Sequence, residues 1–202
     1  MTDYRAEARN VQAAYVRKLE KARARYQAGE TGARARDREV AAAYHQATHL
    51  LGELQKAEDA HRKTTQQQRL HTLFGLPKGS TGMDVVAFND AQDRAARLTD
   101  VKEAERLLAK AQRNGNDVLA RAIAEHSAEM GWRNITATYL ESKPGAAETY
   151  TEWERTARED NNPQARFHRA ADYILPSPSE ISALQPHQVE QLANSGDGSE
   201  AA

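Results

Sequence analysis

The chain has 202 residues, and its 28 Lys+Arg nearly balance 29 Asp+Glu, giving a net charge of -1. It holds 37 Ala against 30 Leu+Ile+Val+Phe, with only 8 Val and 4 Ile, so extensive β-structure is excluded by composition and a thin helical core is expected. The absence of Cys removes disulfides, thiolate metal sites and a Cys nucleophile. No apolar run is long enough for a membrane span or a signal peptide, so neither a membrane partner nor secretion is expected.

The predicted class is all-α. A long N-terminal helical hairpin or coiled coil is followed by a small bundle of short antiparallel helices and a disordered acidic tail. The corresponding segments are 1–75 for the hairpin, 76–83 for a linker, 84–175 for the bundle and 176–202 for the mostly disordered Pro/acidic tail.

Tyr4, Ala8, Val11, Tyr15, Leu19, Ala22 and Tyr26 recur at helical spacing and form one stripe. Gly29 and Gly32 mark a turn or a kink. Val40, Tyr44, Ala47, Leu51 and Leu54 follow a heptad-like seam that returns at Leu70, Leu73 and Phe74. The second arm is predicted to be longer than the first. Its far end must therefore pack on something else or on another copy.

Gly75 to Gly82 reads as a linker. It has the residue types of a phosphate loop, but its Lys precedes the last Gly, the wrong order, and no strand leads into it. Asp84 is expected to cap a helix reaching about Leu98, and Asp100 to cap the next. Asn114-Gly115-Asn116 is a tight turn, with Asn116 capping a helix to Met130 and Gly131 in the position after its end. Trp132 to Ser142 and residues 146–160 read as further helices. Asn162-Pro163 opens a short one to about Leu175. Inward candidates are Val101, Leu107, Leu108, Leu119, Ile123, Met130, Trp132, Ile135, Tyr139, Leu140 and Trp153. Within 176–202, brief helical turns are allowed at Glu180 to Leu184 and at His187 to Leu192.

His45-Gln46-Ala47-Thr48-His49 has the spacing of a zinc-protease helix, but Gln46 stands where that chemistry needs a Glu general base. The favoured reading is two polar side chains flanking the seam. The paired acids Asp90/Asp93 and Glu152/Glu154 read as surface charges. No catalytic, cofactor-binding or metal-binding residues are assigned.

The one candidate interaction patch is basic: Arg17, Lys18, Lys21, Arg23, Arg25, Arg34, Arg36 and Arg38, opposed within that stretch by Glu20, Glu30 and Asp37. In a hairpin these charges gather near the tip. They can contact phosphates, an acidic protein surface or the chain's own tail, which carries four acids and no base.

One block carries a family resemblance. Leu98 to Gly145 combines a Leu-rich helix, a turn at Gly115, Leu119-Ala-Arg-Ala-Ile-Ala124, Gly131-Trp132 and Tyr139-Leu-Glu-Ser-Lys-Pro144, and Ile174 to Ile181 follows as a Pro-containing segment. This resembles uncharacterised helical proteins encoded by actinobacterial phages and prophages. The resemblance implies a non-enzymatic structural or virion-assembly role, of scaffold or connector type, through helical protein–protein contacts. Partners would be further copies of the chain and other virion proteins. The place of action would be the host cytoplasm during assembly and then the virion. The alternative is a cytoplasmic helical adaptor or a non-specific nucleic-acid-associated protein using the basic patch.

Overall fold

A computed structural model describes residues 3–141 and 143–195. Among them the secondary structure is entirely helical: α1 (Tyr4–Gln27), α2 (Ala33–Phe74), α3 (Gly82–Ala95), α4 (Val101–Arg113), α5 (Asp117–Glu129), α6 (Arg133–Leu140), α7 (Ala146–Asn161), α8 (Pro163–Ala171) and α9 (Pro186–Asn194). None is long and apolar enough to cross a membrane.

The chain divides into two compact units. The first takes residues up to Arg62 and then from Asn162 onward, and the second is Lys63–Asn161. The chain leaves the first unit within α2 and returns at the start of α8. This division differs from the segments read in the sequence. α8 belongs with the hairpin, not with the bundle, and the last turns of α2 belong with the bundle.

In the first unit, α1 and α2 pair in opposite directions. Tyr4 meets His61 at 5.9 Å, Tyr15 meets Tyr44 at 6.2 Å, and Arg25 donates to Glu39 at 2.6 Å. The turn is set by Gly29, whose φ of 74° is open to glycine and strained for other residues. There the Gly29 N–H donates to the Tyr26 carbonyl and the Glu30 N–H to the Arg25 carbonyl, the two bonds of a Schellman end. Tyr15, Leu19, Ala22, Val40, Ala41, Ala43 and Ala47 close the seam, with Ala8 and Leu51 beyond them.

A correction concerns the C-terminal segment. Residues 176–195, expected as mostly disordered, instead carry turns and α9 and pack on the hairpin. Ile181 and Val189 are 1% and 6% exposed, because the two-helix seam alone leaves apolar surface that they cover. Residues 196–202 of that predicted tail lie outside the described residues.

The second unit is built from short helices with capped ends. Asp100 accepts from the Glu103 N–H at 2.9 Å and Asn116 from the Leu119 N–H at 3.0 Å. The cap of α3 is Thr81, not Asp84. Thr81 and Asp84 form a reciprocal capping box, which places Asp84 three residues inside the helix. The core gathers Ala91, Ala95, Leu98, Ala104, Leu108, Leu119, Ile123, Ile135, Tyr139 and Leu140, with Trp132 and Trp153 packed at its edge. Val101 and Met130, expected inside, are 40% and 50% exposed. Each sits at the end of its helix, where a side chain has few neighbours. Leu73 and Phe74 enter this core at 4% and 0% exposure, so the far end of the long arm is buried by its own chain.

Candidate interaction surface

The basic patch lies in the first unit, on the C-terminal half of α1 and the first turns of α2. Cations at the end of α1 oppose the partial negative charge of that helix terminus. Arg34, Arg36 and Arg38 stand instead at the positive end of α2, whose first turn holds no acid. The chain offsets this crowding locally. Arg36 donates to Asp37 at 2.6 and 2.9 Å and lies 4.4 Å from the Tyr26 ring centre. Arg25 binds Glu39 and lies 3.7 Å from Glu30. Lys18 donates to the Gln46 side chain at 2.7 Å.

Arg23 is held differently. Its guanidinium donates to both oxygens of Glu180, at 2.6 and 2.9 Å, and the Glu180 side chain is only 9% exposed. These hydrogen bonds hold the Glu180 carboxyl down at about 2. The eight patch residues thus do not form one uniform field. Arg17, Lys21 and Arg34 project into solvent without an ion pair among the described residues, whereas Arg23, Arg25 and Arg36 are engaged within the chain.

The contacts that seat the C-terminal segment extend along the hairpin. The Tyr173 hydroxyl donates to Glu58 at 2.9 Å, and its own ionisation is pushed up by burial and by that carboxylate. Arg5 lies 3.4 Å from Asp172, and Gln12 donates to the Asp172 carbonyl at 3.0 Å. Sequence reasoning missed Tyr173, Glu180, Ile181 and Val189 as a group. The available signals were the acids of this stretch, which the basic patch could meet, and the apolar spacing of Ile181, Leu184, Val189 and Leu192.

Two clefts border this segment. One of about 490 Å³ lies between α2 and α8, lined by Gln55, Glu58, Asp59, Arg166, Phe167 and Tyr173. The other, of about 360 Å³, is lined by Tyr44, His45, Thr48, Leu184, Pro186 and Val189. His45 therefore faces an apolar recess while His49 is exposed, and no group of three metal-ligating side chains exists among the described residues. No model of a known protein family, no curated protein and no solved structure matches this chain.

Proposed function

We propose that the chain is a non-enzymatic structural or assembly protein of phage type that acts through helical protein–protein contacts with further copies of itself and with other virion components. The observation that carries this reading is where its large apolar side chains sit. Met83, Phe167, Val86 and Ile174 are 83%, 68%, 62% and 61% exposed, while about half of the buried core residues are Ala, the smallest apolar side chain. A chain that leaves such large apolar side chains in solvent gains stability from partners that cover them. The resemblance of the Leu98 to Gly145 block supports the same reading.

Light scattering on a size-exclusion column tests it, at several protein concentrations and at low and high salt. A discrete oligomer that persists in high salt is expected, since apolar contacts are not screened. A monomer at every concentration overturns the self-association on which this reading relies.

The rival reading, a nucleic-acid-associated adaptor, draws on Arg17, Lys21 and Arg34, three exposed patch cations. It requires binding that weakens steeply with salt and on changing these three to Ala. It ranks second because Arg23, Arg25 and Arg36 already have carboxylate partners within the chain.

A further inference from the structure

The cleft between α2 and α8 has walls of opposite charge. Gln55, Glu58 and Asp59 line it from one face of α2, and Arg166 and Arg169 line it from α8. Glu58 is satisfied within the chain. It accepts from the Tyr173 hydroxyl at 2.9 Å and lies 3.8 Å from Arg5. Asp59 and Arg166 differ from it. Both are exposed, and neither makes an ion pair among the described residues.

The helix that forms the basic wall is itself uncovered. No residue of α8 is buried, and the helix carries no acid. Its Phe167 borders the cleft and is 68% exposed, more than any other large apolar side chain among the described residues of the first unit. Aromatic and arginine side chains are the ones that most often anchor protein interfaces.

An occupant of a single charge sign would meet like charge on one wall, and a nucleic-acid strand would set its phosphates against Glu58 and Asp59. The occupant that fits carries both signs, and this chain's own cleft does so. After a half turn about an axis through the cleft, the basic wall of one copy lies over the acidic wall of the other, so the surface complements itself.

We propose that the α2–α8 cleft is an isologous docking surface whose occupant is the same surface of a second copy. Arg166 of each copy meets the partner's Asp59, and Phe167 of each enters the partner's cleft. The proposal rests on the reading of the chain as self-associating and names the surface that joins two copies. Asp59 and Arg166 gain in the pair a charge-assisted contact that neither has within one chain.

The test uses three full-length variants, Asp59→Arg, Arg166→Asp and Phe167→Ala. All three positions are exposed, so the fold should be retained, and circular dichroism melting checks it. Each charge reversal alone sets like charges against one another in both halves of the pair. Mixed, the unchanged Arg166 of the first variant meets the unchanged Asp59 of the second. The substituted position 59 of the first, now basic, meets the substituted position 166 of the second, now acidic. Both halves are then complementary.

Native mass spectrometry with one variant isotope-labelled reads the outcome. Each single variant is expected to dimerise about tenfold or more weakly than the parent. The mixture of the two reversals is expected to give a one-to-one heterodimer at parental strength, and the double reversal in one chain a homodimer of that strength. If the single variants associate as the parent does, self-association stands and this surface is overturned as its site. Reversals that weaken association and are not rescued by mixing also overturn it. If the parent itself is monomeric throughout, both readings fall.

Discussion

Phe74→Ala tests whether the end of the long α2 arm is a core element of the second unit. Phe74 is fully buried beside Leu73, with its ring 6.1 Å from that of Tyr139. Truncating a fully buried Phe costs about 3–5 kcal/mol, the sum of lost transfer energy and of the cavity left behind. The second unit spans Lys63–Asn161, and a domain of that size has a total stability of about 5–15 kcal/mol, so the substitution removes a large share of it.

The chain supplies its own probe. Both tryptophans, Trp132 and Trp153, pack on this core and none lies in the first unit, so tryptophan emission during urea unfolding reports the second unit alone. A fall of about 2 M in the urea midpoint is expected, given slopes of about 1–3 kcal/mol/M for small proteins. Met83→Ala, at a position 83% exposed, should stay within about 0.5 kcal/mol of the parent. A Phe74→Ala midpoint shifted by no more than the Met83→Ala control would refute the placement of this arm in the core.

Further outcomes follow from the same geometry. Because Arg23 holds the Glu180 carboxyl down at about 2, the clasp's contribution is complete above the ordinary glutamate value of about 4.3 and is lost as pH falls toward 2. The Ile181 methyl signals in NMR should shift in that window and cease to do so in Glu180→Gln. Glu125 on α5 is raised by burial and by nearby Glu129, although Gln92 donates to it at 2.8 Å. Its folded value exceeds the unfolded one, so the second unit should lose stability as pH rises through that elevated value. The tryptophan-reported midpoint should then be higher on the acid side than at neutral pH, and Glu125→Gln should remove the difference. Gly75→Ala should destabilise by about 1–3 kcal/mol, since a methyl there would stand 2.5 Å from the His71 carbonyl oxygen, a backbone atom that cannot swing aside. Circular dichroism on heating checks it, with a melting point equal to the parent's counting against the clash.

Local structure was legible in the residues alone. Ala excess, apolar spacing at helical period, Gly at 29, 115 and 131, and Asn or Asp at 100, 116 and 162 specify helices and their ends through interactions within a few residues. Most of those ends stand where the spacing puts them. The same locality explains the miss at Asp84. Thr81 and Asp84 both suit a helix start, and only the reciprocal bonds between them show which is the cap.

What the residues left open depends on partners far apart in the chain. The pairing of Arg23 with Glu180 spans 157 positions, and that of Glu58 with Tyr173 spans 115. Neither leaves a periodic trace, so the division of the chain into units and the seating of the C-terminal segment emerge only in the folded arrangement. The basic patch was legible as a list of cations. Which of them remain in solvent and which are held by carboxylates was set by how the hairpin turn and the returning segment bring distant charges within hydrogen-bond reach.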